Sequence, residues 1–150
     1  MTLRTIAAFA VAGLMLASVG ASVLAAEFVA PATPEAAVAA RQALMKSNGG
    51  VLRSAGNLTG AEAEAAMQTL VDNFTHLPLL FPKDSIVGES EALPVIWEKF
   101  DDFAAIAMTG KTTAEAGLAA AKAGDNAAYA DAIKAIGGTC GQCHQSFRGH

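Results

Sequence analysis

The sequence is poor in the residues that support several common kinds of protein. Its 150 residues include only two cysteines, so a disulfide framework is not indicated. Runs of β-branched residues are nearly absent and alanine is abundant, which favours helices over strands. Basic residues are also few, because ten lysines and arginines stand against 14 aspartates and glutamates. This acidic balance argues against nucleic acid and anionic membrane as partners.

The one long apolar run lies at the N-terminus. It follows Arg4, is rich in alanine, leucine and valine, and ends in small residues. This order predicts a secretory signal peptide over residues 1–25, with cleavage after Ala25 or Ala26, rather than a membrane anchor. Residues 26–150 then form one domain with a net charge of −5, since Arg4 is the only charge removed. We therefore expect a periplasmic protein that does not contact the membrane after signal cleavage.

The two cysteines lie close together near the C-terminus. Cys140 and Cys143 are three residues apart, and His144 follows the second directly. C-x-x-C-H is the attachment signature of c-type haem. Thiols at positions i and i+3 share one helix face and can add to the two vinyl groups of a porphyrin, while the histidine binds the iron. The motif therefore predicts one covalent haem c, with His144 as the proximal ligand.

A zinc site, a redox dithiol and a disulfide all fit the motif less well than haem does. A zinc site needs four ligands, and only His76, His150 or a carboxylate could complete one. A thioredoxin-like dithiol would follow a strand in a βαβ pattern, and the sequence shows no strand pattern. A disulfide across two residues would be strained. Export agrees with haem, because covalent c-type haem is assembled outside the cytoplasm.

Turn signals divide the rest of the chain into four predicted helices. We expect them over residues 34–55, 59–76, 94–108 and 126–148, with a long connection over residues 78–93. Residues 48–50 are expected to kink the first helix. The third helix either ends near Met108 or continues to Ala123 beyond an interruption at residues 109–112. Four amphipathic helices with mostly short connections predict an all-α fold, an antiparallel up-down four-helix bundle.

The last predicted helix carries an uninterrupted apolar seam. Its members are spaced four and three residues apart: Tyr129, Ile133, Ile136, Cys140, Cys143 and Phe147. The two cysteines therefore lie on the face that packs into the bundle. A haem attached to them would be enclosed by the other helices.

These features together resemble the class II cytochromes c, the family of cytochrome c′ and its low-spin relatives. The resemblance covers essentially the whole mature chain. The C-x-x-C-H motif lies on the last predicted helix, whereas common small cytochromes carry it near the N-terminus. The matching segments are Arg41-Gln42-x-x-Met45-Lys46, Leu80-Phe81-Pro82, Pro94-x-Ile96-Trp97-Glu98, Gly124-Asp125 and Cys140-x-x-Cys143-His144-x-x-Phe147-Arg148. The resemblance implies a four-helix bundle with one haem c and His144 on the iron. Relatives often form dimers through the first two helices, so a homodimer is compatible with the resemblance.

The resemblance also concerns the opposite side of the iron. Met45 stands where low-spin members carry an iron-binding methionine. High-spin members leave that position open to nitric oxide and carbon monoxide, and some of them have an unbound methionine there. From its residue type alone, Met45 is equally a core residue. Arg41 occupies the family position that binds a haem propionate through charge-assisted hydrogen bonds.

We therefore expect a single-electron carrier with His144 and Met45 as iron ligands, which exchanges electrons with redox partner proteins. The alternative is a five-coordinate, high-spin protein of the cytochrome c′ kind that binds nitric oxide or carbon monoxide. We do not expect an enzyme, because no paired carboxylates, nucleophile–base pair or phosphate loop accompanies the haem motif.

Overall fold

The computed structural model describes residues 28–149, which form helices joined by loops. The predicted signal peptide and His150 lie outside these described residues. The helices are α1 Pro34–Ala55, α2 Gly60–His76, α3 Val95–Glu98, α4 Phe100–Ala123 and α5 Asn126–Phe147, and a 3₁₀ helix spans Leu77–Leu80. The only β-type pairing over residues 28–149 is an isolated bridge between Ala92 and Arg148. The predicted all-α four-helix bundle is confirmed, with α1, α2, α4 and α5 as its long helices.

Capping residues explain where the first and last helices begin. The hydroxyl of Thr33 accepts a hydrogen bond from the amide of Ala36 at 3.2 Å, and a proline opens α1. At the start of α5, Asp125 accepts from the amide of Ala128 at 3.0 Å. Gly124 ends α4 with a φ of 69°, a left-handed conformation that glycine adopts most easily. The starts predicted for α1 and α5 are therefore confirmed.

The third predicted helix differs most from expectation. The chain breaks at Lys99, where φ is −126° and ψ is 45°, so that α3 is a single short turn. The predicted interruption at residues 109–112 is wrong, because α4 is continuous to Ala123. Residues 48–50 do not interrupt α1, which is one helix from Pro34 to Ala55, and the kink expected there stays a prediction. In α4, tertiary packing overrides the weak helix propensity of Gly110, which lies against Phe74.

The core lies where α4 packs between α2 and α5. The largest fully buried apolar side chains are Met67, Leu70, Ile96, Phe103 and Ile136. In contrast, α1 packs mainly on α2 and the 3₁₀ helix and contacts α5 little. This arrangement leaves a slot between α1 and α5. None of the helices within residues 28–149 is both long enough and apolar enough to cross a membrane.

Candidate haem site

The slot between α1 and α5 contains the residues that the sequence singled out. It comprises an outer cavity of about 240 Å³ and an inner cavity of about 180 Å³. Met45, Cys143 and His144 line both cavities, so the two cavities are parts of one slot. The structure thus brings Met45 on α1 together with Cys143 and His144 on α5, although 98 residues or more separate them in the chain.

The inner cavity is almost entirely apolar. Its carbon-rich walls come from Leu52, Phe74, Leu77, Ile106 and Ala107, and Cys140 reaches it from α5. Burial raises the pKa of the Cys140 thiol. Burial is the larger cause, and the nearby Cys140 the smaller one, that raise the pKa of Cys143 to about 11. Both shifts favour the protonated thiol over the thiolate before a haem is attached.

His144 lies half-buried at the junction of the two cavities. Burial is the main cause that lowers its pKa, and the positive charge of Arg148 lowers it further. The carboxylate of Glu91 acts in the opposite direction. A lowered pKa favours the neutral imidazole, which is the form that binds a metal ion.

Arg41 lines the outer cavity one helical turn before Met45. It is buried, with 5% exposure, and its guanidinium binds the loop that follows the 3₁₀ helix. Nη1 donates to the hydroxyl of Ser85 at 2.9 Å, and Nη2 donates to the backbone oxygen of Ser85 and the hydroxyl of Ser90, each at 2.6 Å. Arg41 also lies over the ring of Phe81, 4.7 Å from its centroid. Its predicted contact with a propionate stays a prediction.

An ion pair lies at the outer end of the slot. Arg148 donates from Nε to a carboxylate oxygen of Glu91 at 2.7 Å, and its Nη2 lies 2.6 Å from the same oxygen. The backbone amide of Gly149 also donates to the backbone oxygen of Glu91 at 2.7 Å. These contacts tie the end of α5 to the loop that Arg41 holds. The sequence did not predict this role of Glu91, because 57 residues separate it from Arg148.

The residues of the slot fit a haem c. Its two thiols and its imidazole come from one wall, and most of the inner walls are carbon. The charged side chains that line the slot, Arg41, Glu91 and Arg148, lie along its outer cavity. A porphyrin has the same division, since its macrocycle is apolar and its propionates are charged.

Comparison with known proteins agrees with this arrangement. The family described as Cytochrome C' matches residues 36–148. A cytochrome c' of Pararhodospirillum photometricum is 34% identical over 124 residues, which are 78% of this chain and 99% of that protein. A cytochrome c-556 of Agrobacterium tumefaciens (strain apple 185) is 38% identical over 117 residues, which are 73% of this chain and 91% of that protein.

The fold is similar to solved structures as well. One is a nitric oxide complex of a variant cytochrome c prime from Alcaligenes xylosoxidans. It has a TM-score of 0.70 and 23% identity, and the match covers 79% of this chain and 98% of that one. At this identity the likeness shows the fold alone. The family match over residues 36–148 and the 34% identity to a whole relative show that this chain belongs to the cytochrome c′ family, whose cofactor is one covalently bound haem c.

Proposed function

We propose that Cys140 and Cys143 attach the haem through thioethers and that His144 binds its iron. The observation that carries this proposal is the position of Cys143 and His144, which line both cavities opposite Met45. Arg41 lies near enough to the outer cavity to bind a propionate. Bound in this slot, the haem supplies an iron that can exchange single electrons and bind small ligands.

We propose the binding of nitric oxide or carbon monoxide as the main function. The match to the family described as Cytochrome C' supports this choice. The inner walls of the slot are almost entirely carbon, so any space that they enclose beside the haem would suit a small uncharged molecule better than a charged one. In this proposal, Met45 is a half-buried wall residue that limits access to the iron.

Electron transfer with Met45 as a second iron ligand is the other candidate. The observation that favours it is that Met45 lies on the wall opposite His144 and reaches both cavities. A thioether ligand opposite a histidine raises the reduction potential of a haem. This function would require redox partner proteins.

The visible spectrum of the haem-loaded protein separates the two candidates. If the protein binds gas, we expect a five-coordinate, high-spin spectrum that stays high-spin in Met45→Leu. Carbon monoxide should then bind to the reduced protein without displacing a protein ligand. For a carrier, we expect a low-spin spectrum with a methionine–iron band that Met45→Leu abolishes. Met108→Leu is the matched control, because Met108 is 58% exposed and lines neither cavity. A low-spin spectrum in both oxidation states would contradict the gas-binding proposal.

We also propose that the protein is periplasmic, exported by the signal peptide over residues 1–25. No enzymatic activity is proposed, and a homodimer stays a prediction from the family resemblance. Sedimentation of the haem-loaded protein, with and without carbon monoxide, would measure the oligomeric state.

A further inference from the structure

Asn48 is a buried polar residue in the most apolar part of the slot. Its side chain is only 5% exposed and lines the inner cavity together with Met45, Cys140 and His144. A buried amide is costly unless its donors and acceptor find partners. Apolar packing therefore does not account for the position of this amide.

One side of the Asn48 amide is held by α2. Nδ2 of Asn73 donates to Oδ1 of Asn48 at 2.7 Å and to the hydroxyl of Ser47 at 3.2 Å. The oxygen of Asn48 is thus engaged at the contact between α1 and α2. This contact fixes the orientation of the amide about its terminal bond.

The other side of the amide carries donors that no protein group uses. Within residues 28–149, Nδ2 of Asn48 donates no hydrogen bond to another group. Every fully enclosed side-chain nitrogen or oxygen in that range has a hydrogen-bond partner. Nδ2 is therefore not fully enclosed, and the inner cavity is the space that Asn48 lines. Thr139, which lines the same cavity, differs because its hydroxyl donates to the backbone oxygen of Ala135 at 3.2 Å.

We propose that Asn48 donates a hydrogen bond from Nδ2 to the outer atom of a diatomic ligand in the slot. This inference rests on the proposed gas-binding function and names a residue that determines its specificity. Asn48 follows Met45 by three residues, so the two side chains share the face of α1 that looks toward α5. In a cavity with few other polar groups, one oriented donor interacts more strongly with a partly negative oxygen than it would in water. Asn48 thus favours ligands with a more negative outer oxygen.

The carbon–oxygen stretching frequency of bound carbon monoxide tests this inference. A donor at the oxygen weakens the C–O bond and lowers its stretching frequency. In the reduced, haem-loaded protein, Asn48→Leu removes the donor while nearly preserving the side-chain volume. We expect the C–O band to move to higher frequency, and carbon monoxide to dissociate about two to ten times faster, the range for one lost hydrogen bond. An unchanged band, or one at lower frequency, would overturn the inference.

Two further variants distinguish a hydrogen bond from general repacking. Thr139→Val removes a buried hydroxyl that is already paired, and it should leave the C–O band in place. Asn73→Leu leaves Asn48 intact but removes the group that orients it, so the band should move in the same direction as in Asn48→Leu. This second variant also keeps the test available if Asn48→Leu does not fold. Equal shifts in Asn48→Leu and Thr139→Val would overturn the inference.

The failure of the proposed function would look different. If the reduced native protein bound no carbon monoxide, the gas-binding proposal and this inference would both fail. If it bound carbon monoxide with the same C–O band in the native protein and in Asn48→Leu, only the role of Asn48 would fail.

Discussion

Two arginines at the outer cavity hold the same loop in different environments. Arg41 is 5% exposed and donates three short hydrogen bonds to Ser85 and Ser90. The side chain of Arg148 is 49% exposed, and it pairs with Glu91, which is 59% exposed. Exposed ion pairs contribute about 0–1 kcal/mol, whereas each buried polar group left unpaired costs about 1–3 kcal/mol. Burial, rather than charge, should therefore decide which arginine matters more for stability.

We expect Arg41→Ala to lower the free energy of unfolding by roughly 2–4 kcal/mol. It leaves the buried Ser85 without its donors and removes the packing of a long side chain. Arg148→Ala, the matched control, should lower it by less than about 1 kcal/mol. Urea unfolding of the haem-loaded proteins, followed by circular dichroism, measures both. Equal losses in the two variants would contradict this assignment.

At the scale of single residues, local patterns could be predicted and distant partnerships could not. Cys140, Cys143 and His144 form one contiguous motif, and Met45 and Arg41 were found by resemblance over a short segment. The pairing of Asn48 with Asn73 spans 25 residues and was not predicted. Such contacts depend on how helices meet, which no local spacing encodes.

Among the helices, α4 depends most on close packing. Gly110 and Gly117 are buried on the faces that meet α2 and α5. A Cβ on Gly110 would lie 2.4 Å from a ring carbon of Phe74, and one on Gly117 would lie 2.7 Å from the sulfur of Met67. Methionine has three rotatable side-chain bonds and can adapt, whereas three ring atoms of Phe74 lie within 2.7 Å of the added Cβ and the whole ring would have to shift. Gly110 is therefore the more restrictive of the two positions.

We expect Gly110→Ala to destabilise the protein, although alanine is the better helix former. Overpacking costs about 1–3 kcal/mol, while the gain in helix propensity is only about 1 kcal/mol. Gly50→Ala in α1 is the matched control, because the nearest atom to its Cβ would be a flexible arginine nitrogen at 4.0 Å. It should stabilise the protein by about 0.5–1 kcal/mol. Thermal unfolding of both variants measures the difference, and a stabilised Gly110→Ala would contradict the packing argument.

The same glycine shows why one helix was predicted poorly. Thr109 and Gly110 look like helix breakers in the sequence, yet α4 continues through them because Gly110 packs on Phe74. The starts of α1 and α5 were predictable, since Thr33 and Asp125 cap their first turns locally. Helix ends set by caps are encoded locally, and helix continuity set by packing is not.

At the scale of the whole molecule, the main feature of the bundle is the slot between α1 and α5. Helix α4 packs closely on α2 and on α5, whereas α1 contacts α5 little. The hydroxyl of Tyr129 donates to the backbone oxygen of Ala55 at 3.1 Å where the end of α1 meets the start of α5, and the slot separates the two helices farther along. The loop held by Arg41 and by the Glu91–Arg148 pair connects these two walls at the outer end. The bundle thus presents one wall with thiols and imidazole and another with Met45, Arg41 and Asn48.

The mass of the exported protein tests most directly whether this slot holds a haem at the assigned residues. We expect the native protein to have the mass of the chain without its signal peptide plus one haem, which persists under denaturing conditions because thioethers are covalent. The double variant Cys140→Ser/Cys143→Ser should have the mass of the chain alone. A native protein with the bare chain mass, or a double variant that keeps its haem under denaturation, would contradict the account.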